Sequence, residues 1–378
     1  MRIMHLVSVW DGGVKNQVLS ISEQMVAQGD QVMVLALRDK SEAKDGEAAR
    51  VPVVELVRKS TPHEALNAFR RARGLVRSFR PDVVHAHSFH AIIFARLLRL
   101  VAKCPYLVST FHISVNSSNV EEGSTIFTVA YRLTDLLTDI NTNVSRESSE
   151  SFVRSGAVPR NRIVTVFDGI DVEKFSPQPE IKAEMRRQLD LPHNAFVWLA
   201  VGRLSAQKDY PTLFAAFVQV AKSAPEALLL VVGDGPLETE FREKISEMGL
   251  GYHIRLLGRR TDVPRIMNAA DAYVLSSAWE GLPNAAAEAM ASGLPTVATD
   301  CGGIQELVAD CGWVVAARNP EALAFTMIEV SQMAAEQLRA MGMRARARVC
   351  ESFSLRHCCD DWTALYRARV RKASDWSR

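Results

Sequence analysis

The chain has 378 residues, of which 48% are hydrophobic and 23% are charged. That composition is ordinary for a globular protein and excludes a disordered chain, a coiled coil, a collagen-like fibre and a small disulfide scaffold. No apolar run reaches the roughly 20 residues of a membrane-spanning helix, and the opening segment 1–10 is too short and too soon polar for a signal peptide. The six cysteines have no regular spacing, so we expect reduced thiols in a cytoplasmic protein.

The net charge of +2 is unevenly distributed along the sequence. Residues 1–170 carry a net charge of +4 and residues 355–378 carry +3, whereas the segment between them carries −5. One basic half and one acidic half favour two domains with different partners. The basic excess is too small to predict a nucleic-acid-binding protein.

Strand-like and helix-like segments alternate through the first half of the sequence. The predicted strands are Arg2–Val9, Gln31–Leu37, Val53–Leu56, Asp82–His85, Tyr106–Ser109, one near Ile140, and Ile163–Val166. The predicted helices are Val14–Gln28, His63–Phe79, Phe89–Val101, one ending near Leu137, and Ser145–Ser155. The charged segment Arg38–Arg50 is interpreted as a mobile loop. Continuous apolar strands separated by helices predict a parallel sheet that is covered on both faces.

The polar stretch Asp168–Glu180 interrupts this alternation and is interpreted as an interdomain linker. Six more strands are then predicted: Phe196–Val201, Leu228–Val232, Ile254–Leu257, Ala272–Leu275, Thr296–Ala298 and Trp313–Val315. Helices are predicted to begin near Tyr210, Leu237, Val263, Asn284, Ile304 and Pro320, with 321–351 nearly continuous and a last amphipathic helix over Leu355–Val370. We predict two Rossmann-like, doubly wound α/β domains, 1–170 and 171–354, a C-terminal helical segment, 355–378, and a cleft at the carboxyl ends of both sheets.

Two loops that follow predicted strands contain residues suited to an anionic ligand. In the first loop, Gly12 and Gly13 let the backbone approach a ligand beside a helix N-terminus, although an ordinary tight turn also explains them. In the second, Arg203 and Lys208 suit a diphosphate, with two solvated surface cations as the alternative. No G-x-G-x-x-G motif follows a strand, which argues against a nicotinamide-dependent dehydrogenase.

Two acids flank the start of an Ala-rich helix in the second half. Glu280 lies in the loop before the helix and Glu288 in its first turns, with Asn284 expected as the N-cap. Backbone N–H groups near Leu282, Asn284 and Ala285 would then form an anion-binding end. A carboxylate that accepts two hydrogen bonds suits the vicinal hydroxyls of a sugar. Stabilisation of the helix dipole is the alternative role for Glu288, although a capping box would need its acid one residue earlier.

Five motifs occur in a defined order along the chain. They are Asp11-Gly12-Gly13, FDGIDVEKFSP over 167–177, the Arg203…Lys208 loop, GDGP over 233–236 and the pair Glu280…Glu288. Together they resemble the family 4 retaining glycosyltransferases of GT-B architecture. The resemblance covers nearly the whole chain and is closer in the second half. At Asp168 the sequence departs from the family, where Asn often stands.

The resemblance implies that the second domain holds a nucleotide-sugar donor. Arg203 and Lys208 would hold the diphosphate, Glu288 the ribose hydroxyls and Glu280 the hydroxyls of the donor sugar. The other implied donor-binding residues are Gly12 and Gly13 over the phosphates, Arg259 and Val263 beside the base, and Gly281, Leu282, Asn284 and Ala285 beside the sugar and the distal phosphate. His112 matches a position beside the donor sugar, with a satisfied interior histidine as the alternative. The C-terminal helix would cross back to the first domain.

The expected chemistry needs no cofactor and no metal. The charge that develops on the leaving nucleoside diphosphate would be stabilised by Arg203, Lys208 and a helix N-terminus. The anomeric carbon becomes oxocarbenium-like, and the acceptor hydroxyl would attack from the departing side, with retention. Glu280, His112, Arg203 and Lys208 are therefore the candidate catalytic residues. Glu280 is not expected to be a covalent nucleophile, and His112 is expected to hydrogen-bond the sugar or the phosphates.

Two further clusters have more than one interpretation. His85, His87 and His90 either line the acceptor side of the cleft or pack in the core, and no metal site is expected from them. The helix segment Arg70–Arg80 has five arginines and no acid. It is either a sheet-covering helix with a basic polar face or a helix that meets anionic lipid.

The leading hypothesis is a hexosyltransferase that builds a surface polysaccharide or glycolipid on a glycan or lipid-linked acceptor. A UDP-sugar is favoured over GDP- and ADP-sugars, because the loop Gly258–Pro264 resembles those of UDP-using members. The alternatives are a nucleotide-sugar 2-epimerase, a glycogen-synthase-like polymerase, and a catalytically silent protein that binds a nucleotide sugar. A periplasmic sugar-binding protein would need a signal peptide.

Overall fold

The computed structural model describes residues 1–39, 51–57, 62–115 and 125–375, and the chain forms two compact units. The first unit comprises Met1–Gly169 together with Leu355–Arg378. The second comprises Ile170–Ser354. Most of the segment predicted as a mobile loop, residues 40–50, lies outside the described residues.

The first unit is built on a seven-stranded parallel sheet with the strand order β3-β2-β1-β4-β5-β6-β7. Its strands are β1 (Arg2–Trp10), β2 (Gln31–Asp39), β3 (Val53–Glu55), β4 (Val83–His87), β5 (Tyr106–Thr110), β6 (Ile140–Asn143) and β7 (Ile163–Thr165). Its helices are α1 (Gly12–Ala27), α2 (Pro62–Phe79), α3 (Phe89–Leu98), α4 (Thr125–Thr134), α5 (Arg146–Arg154) and the C-terminal α14 (Leu355–Asp375).

Side chains of β1 alternate between the two apolar layers of this unit, as a strand period of two requires. Met4 and Leu6 pack with α2, α3 and α5 on one face. Ile3 and Val7 pack with α1 and α14 on the other. The C-terminal helix therefore completes the core of the first unit, although more than 180 residues of the second unit separate it from β7.

The second unit has a six-stranded parallel sheet with the order β10-β9-β8-β11-β12-β13. Its strands are β8 (Val197–Val201), β9 (Leu228–Val232), β10 (Ile254–Leu256), β11 (Ala272–Leu275), β12 (Thr296–Thr299) and β13 (Trp313–Val315). Its helices are α6 (Pro179–Gln188), α7 (Tyr210–Ser223), α8 (Glu238–Glu247), α9 (Val263–Ala269), α10 (Asn284–Ala291), α11 (Ile304–Val308), α12 (Pro320–Ser331) and α13 (Ala335–Ser352). This is the strand order of a doubly wound dinucleotide-binding sheet, and the order reverses between β8 and β11.

Several elements differ from their predictions. Helix α1 begins at Gly12, two residues earlier than predicted, so Gly12 and Gly13 form its first turn; Asp11 is the N-cap, and its carboxylate accepts the Gly12 N–H at 2.8 Å. The segment 321–351, predicted as nearly continuous helix, is divided into α12 and α13 by one break, where Ala334 has an extended backbone. Strand β4 continues to His87 rather than ending at His85, because the polar His87 ring finds its partners inside the unit.

Among the residues that the structure describes, no helix combines the length and the apolar character needed to cross a bilayer.

Candidate active site

The candidate site of the second unit lies at the point where its strand order reverses. Strands β8 and β11 are hydrogen-bonded neighbours, and the connections that leave them run to opposite sides of the sheet. Their carboxyl ends therefore open a crevice, which is where open α/β sheets bind ligands. Lys208 follows β8 and Glu280 follows β11, so two residues that are 72 positions apart reach the same crevice.

Glu280 and Lys208 form the centre of this site. The Lys208 ammonium donates to Glu280 Oε1 at 2.5 Å, and both side chains are largely buried. Ser277 Oγ donates to the same oxygen at 2.8 Å, and Gln207 Nε2 donates to Glu280 Oε2 at 3.1 Å. Each carboxylate oxygen thus has a protein donor, and these bonds hold Glu280 in one orientation. A lysine ammonium has three N–H groups, so Lys208 has further donors for a ligand.

Two glycines let the loops of this site approach one another. Gly302 has a φ of +52°, and a Cβ built on it would lie 2.3 Å from the carbonyl oxygen of Glu280. Gly233, in the GDGP motif, has a φ of +140°, and its Cβ would lie 2.0 Å from the carbonyl oxygen of Gly202. Glycine is therefore required at both positions, for close approach and for backbone conformation. The GDGP motif supports the loop that carries Arg203.

Glu288 lies half-buried in the second turn of α10. Burial raises the pKa of its carboxyl to about 7, and the charges of Lys174 and Lys208 act in the opposite direction. A carboxyl with this pKa is ionised for part of the time at neutral pH, and hydrogen bonds from ligand hydroxyls would favour the ionised form. Lys174 belongs to the motif predicted to join the domains, and no sequence pattern indicates that it lies near Glu288.

The other residues of the second unit that were predicted to bind the nucleotide-sugar donor differ in their exposure to solvent. Arg203 and Arg259 are exposed. Val263 is the first residue of α9, while Gly281 and Leu282 are buried in the loop that leads to α10. The N-cap prediction for Asn284 is wrong: the cap is Pro283, and Asn284 is the first helical residue. Proline restricts the backbone at the start of the helix and has no side-chain acceptor for the first N–H groups. Asn284 and Ala285 are the first helical residues, and they lie at the positive end of the helix dipole.

In the first unit, a chain of buried histidines ends at His112. His5 Nδ1 lies 3.0 Å from His87 Nε2, and His87 Nδ1 lies 2.9 Å from His112 Nε2. His112 Nδ1 lies 3.9 Å from a carboxylate oxygen of Asp168. His112 follows β5 with a φ of +64°, a conformation that costs a non-glycine residue about 1 kcal/mol or more. The hydrogen-bonded chain holds it there.

Burial lowers the pKa of each histidine in this cluster. The pKa of His112 falls to about 4 and that of His5 to about 3, while burial and neighbouring histidines hold the pKa of His87 and His85 well below the usual range. All four rings are therefore neutral at pH 7. A neutral ring has one N–H donor and one acceptor nitrogen. The two hydrogen bonds of the His5–His87–His112 chain therefore donate in the same sense along the chain.

The predicted cluster of His85, His87 and His90 is only partly assembled. His90 is exposed on α3, whereas His85 is buried beneath Trp362 and Tyr366 of α14. The ring centroids of His85 and Trp362 are 4.5 Å apart. His85 Nδ1 pairs with the Tyr366 hydroxyl at 2.7 Å and its Nε2 with Thr110 at 2.6 Å. Packing therefore explains His85 and His87.

His5 takes the place of His90 in that cluster. Within the described part of the chain, one nitrogen from each of His5, His85 and His87 lies within 4.8 Å of the others. Most of these nitrogens already hydrogen-bond to each other or to protein hydroxyls, and this describes a polar core better than a set of metal ligands. The sequence offered no signal for His5, which lies within an apolar strand.

Two family models match the chain. The model described as Glycosyltransferase Family 4 matches residues 11–174, and the model described as Glycosyl transferases group 1 matches residues 181–348. The boundary between the two matches lies close to Gly169, where the two structural units meet in sequence.

Two relatives from Escherichia coli are similar to this chain over most of their length. The chain is 27% identical over 303 residues to the UDP-Gal:alpha-D-GlcNAc-diphosphoundecaprenol alpha-1,3-galactosyltransferase of Escherichia coli, covering 77% of this chain and 76% of that protein. It is 29% identical over 286 residues to the putative colanic acid biosynthesis glycosyltransferase WcaL of Escherichia coli K12, covering 73% and 68%.

The fold is shared with solved glycosyltransferase structures. HepE of Anabaena in complex with UDP-glucose superposes with a TM-score of 0.84 at 21% identity, covering 97% of this chain and all of that one. WaaG, a glycosyltransferase involved in lipopolysaccharide biosynthesis, superposes with a TM-score of 0.75 at 17% identity, over 96% of this chain and 99% of that one. The predicted fold class and the resemblance drawn from the motifs are confirmed: the chain belongs to the family 4-like glycosyltransferases of the GT-B fold.

Proposed function

We propose that this glycosyltransferase moves a hexosyl residue from a UDP-sugar to a glycan or lipid-linked acceptor, with retention of configuration, in the synthesis of a surface polysaccharide or glycolipid. The observation that carries the proposal is the Lys208–Glu280 pair at the strand-order reversal of the second unit. The names of the relatives support the donor and acceptor classes, since one is a UDP-Gal-dependent enzyme acting on a diphosphoundecaprenol-linked sugar and HepE was solved with UDP-glucose.

The cations of the second unit would bind the donor diphosphate. Arg203 is exposed on the loop after β8, and Lys208 presents the N–H groups that Glu280 does not use. The amino end of α10, at Asn284 and Ala285, adds the positive end of a helix dipole. These fixed positive groups would stabilise the charge on the departing nucleoside diphosphate, and we propose that the reaction needs no bound metal.

The two acids would bind hydroxyls at opposite ends of the donor. Glu288 is half-buried, and its carboxyl has a raised pKa. It would accept hydrogen bonds from the ribose hydroxyls. Glu280 would accept them from the transferred sugar, while the backbone of Gly281 and Leu282 contacts that sugar and the distal phosphate. The loop with Arg259 and the start of α9 at Val263 would border the base.

Bond making and breaking would occur on one face of the sugar. The bond between the anomeric carbon and the phosphate oxygen breaks as the acceptor oxygen bonds to the same carbon, and the acceptor proton passes to the leaving phosphate. Glu280 is held by three donors from Lys208, Ser277 and Gln207, which suits a positioning acid better than a nucleophile.

The first unit would contribute neutral contacts. Gly12 and Gly13, in the first turn of α1, would lie over the phosphates. His112 would contact the donor sugar as a neutral, fixed imidazole, because its ring nitrogens face His87 and Asp168 and its pKa is about 4. This differs from a general base, which would need a pKa near the working pH.

Nucleotide release from a panel of UDP-, GDP- and ADP-sugars, with and without simple acceptors, tests the proposal. We expect release from one UDP-sugar, its loss in Glu288→Ala and Arg203→Ala, and normal release in the exposed control Arg242→Ala. The anomeric configuration of the product, read by NMR, tests retention, and unchanged rates in the presence of EDTA test the absence of a metal requirement.

The same panel separates the alternatives. An epimerase would release a free sugar without any acceptor, and a silent binding protein would show donor-dependent thermal stabilisation without turnover. Release from a GDP- or ADP-sugar alone would contradict the UDP preference.

A further inference from the structure

Exposed apolar side chains are concentrated on one surface of the first unit. Among the described residues, thirteen large hydrophobic side chains are exposed, and eight of them belong to α2, to the end of α3, or to α4 and the turn that follows it. These eight are Leu66, Leu97, Leu100, Val101, Ile126, Val129, Leu133 and Leu136. We call them the aliphatic surface. A cluster of exposed apolar side chains is unusual on a protein surface that faces only water, and it indicates a binding function.

Helix α4 supplies the most exposed part of the aliphatic surface. Ile126, Val129, Leu133 and Leu136 recur at intervals of three and four residues, so they share one face of the helix and its following turn. Ile126 and Leu133 are each 77% exposed and Leu136 is 85% exposed. The opposite face carries Tyr131, which is buried against Phe111 and Phe152. The outward face therefore contributes nothing to the core of the unit.

Hydrogen bonds connect α4, α3 and α2 into one continuous surface. Arg99, after α3, donates to the carbonyl oxygen of Leu137 at 3.2 Å, which places Leu97 and Leu100 beside the end of α4. Arg73 of α2 donates through Nε to the carbonyl oxygen of Val101 at 3.0 Å. The basic face of α2 therefore borders the aliphatic surface directly.

The exposed charge of this region is predominantly basic. Arg70, Arg73 and Arg77 lie three and four residues apart on the exposed face of α2, and Lys103 and Arg132 are exposed nearby. Among the described residues 65–134, seven Lys or Arg side chains are exposed, whereas the single acid, Asp82, is partly buried. The acids Glu64 and Asp135 border this interval, and Asp139 pairs with Arg99. Two acids in the sequence of this interval, Glu121 and Glu122, lie outside the described residues.

The structure also changes how α2 could meet lipid. Its apolar face packs into the core through Ala68, Ala72 and Val76, so that face is the sheet-covering one. Phe69 and Phe79 are partly buried against the same layer, and only Leu66 is left outside. α2 can therefore supply charge to a bilayer, while apolar insertion has to come from α4 and the end of α3.

We propose that the aliphatic surface and the arginines of α2 dock this protein on an anionic lipid bilayer. Aliphatic side chains enter the acyl boundary while Arg70, Arg73 and Arg77 meet the headgroups, as in interfacial amphipathic helices. A second copy of the chain is disfavoured, because a two-fold contact would bring two basic surfaces together. A nucleic acid offers no partner for exposed Leu and Ile side chains, and none of the eight side chains that define the aliphatic surface is an aromatic ring for base stacking.

Liposome flotation tests the proposal without any donor or acceptor, so its outcome is independent of the proposed reaction. We expect flotation with vesicles of mixed phosphatidylglycerol and phosphatidylcholine, and much less with phosphatidylcholine alone. The variant Leu133→Gln/Leu136→Gln should lower partitioning at least about tenfold. Arg70→Gln/Arg77→Gln should lower it about fivefold for each arginine at low salt, and less at high salt. Phe325→Gln, which removes an exposed apolar side chain of the second unit, should float like the parent.

Three outcomes would overturn the proposal. One is no flotation with anionic vesicles at any salt concentration, and another is undiminished flotation of the leucine variant. The third is a dimer of the parent chain that the leucine variant converts to a monomer, since a second copy would then occupy the surface. The substituted side chains are exposed, so thermal melts of the variants should match that of the parent.

Discussion

The two units have the same kind of sheet but fill its carboxyl edge with opposite chemistry. Where the strand order reverses in the second unit, Lys208 and Glu280 form a charged pair with Glu288 within electrostatic range of Lys208. At the corresponding reversal of the first unit, between β1 and β4, His87 ends β4 and His112 follows the neighbouring β5, and the neutral ring of His87 hydrogen-bonds both to His112 and to His5 within β1. One edge is arranged to hold charge and the other to hold polar groups without charge.

This difference explains why the two regions should respond differently to mutation and to pH. Charged pairs in a crevice act on a ligand, so their loss should appear mainly in activity. Buried neutral hydrogen-bond chains act on the fold, so their loss should appear mainly in stability.

The largest expected effect is on catalysis in the second unit. Glu280→Gln should lower nucleotide release by about 100-fold or more, because a preorganised group that contacts the reacting sugar would lose its charge. Release assays on the donor selected by the panel measure this. Glu240→Gln, on the exposed face of α8, is the matched control and should leave the rate unchanged. If Glu280→Gln released nucleotide at the parent rate, the charge of Glu280 would have no role in catalysis, and the functional contrast between the two units would be wrong.

Backbone geometry at the same site should also matter. Gly302→Ala should lower the free energy of unfolding by about 3 kcal/mol, because the Cβ meets the Glu280 carbonyl oxygen at 2.3 Å in addition to the cost of a positive φ. Gly249→Ala separates these two contributions, since Gly249 has a φ of +69° and nothing within 4 Å of a built Cβ. Urea unfolding of both variants should show the smaller loss, about 1 kcal/mol, for Gly249→Ala.

The histidines of the first unit should make it sensitive to acid. An unfolded histidine titrates near 6.5, whereas the folded pKa is about 3 for His5 and about 4 for His112. The unfolded chain therefore binds more protons below pH 6.5, and stability that is complete above this pH is lost as the pH falls toward the folded values. At pH 5 the loss should be about 2 kcal/mol for each histidine.

Hydrogen exchange of peptides that cover β4, followed from pH 7.5 to pH 5, measures this loss where it arises. His5→Asn should remove part of the pH dependence, because an amide donates a hydrogen bond without titrating. His90→Asn, at the exposed histidine of α3, should leave it intact. Equal protection of β4 at both pH values would refute the assignment of neutral buried rings.

Glu288 should make the stability of the second unit depend on pH in the opposite direction. Its folded pKa is about 7, above the value of about 4.3 in an unfolded chain. Stability is therefore greatest below about pH 4.3 and falls as the pH rises through 7. Glu288→Gln should raise the free energy of unfolding at pH 8 by about 1 kcal/mol, with the cost of the half-buried charge removed, and change little at pH 4.

The same variant should lose donor affinity, since hydroxyl donors prefer an ionised carboxylate. In the parent enzyme, the KM for the donor should rise as the pH falls below 7, and in Glu288→Gln it should be high at every pH. A variant that is neither more stable at pH 8 nor weaker in donor binding would show that the Glu288 carboxyl is not the site of this coupling.

The sequence predicted the second unit well because its signals are local. Alternating apolar runs and amphipathic stretches predict the strands and helices, and loops after strands in a doubly wound sheet predict where Arg203, Lys208 and Glu280 emerge. The GDGP motif can be found in the sequence, but its packing against Gly202 depends on a close backbone approach that no local pattern reveals. The cap at Pro283 was missed because Asn284 is the better cap by composition alone.

The histidine chain of the first unit was not predictable in the same way. His5, His87 and His112 come from three different strands or strand ends, and nothing in the spacing of these residues indicates that their rings meet. The exposed face of α4 was missed for a related reason. Its apolar period is what a core-facing helix would also show, and only the finished packing reveals that Tyr131 faces the core while Leu133 and Leu136 face outward.

What the sequence determined by itself was the alternation of strands and helices, the family to which the chain belongs and the charged residues of the candidate donor site. These features follow from local periodicity and from motifs a few residues long. Only the tertiary structure decided the protonation of Glu288 and the histidines, the partners of Glu280 and the location of the aliphatic surface. Burial and the contacts between distant segments set these properties, and both exist only once the chain has folded.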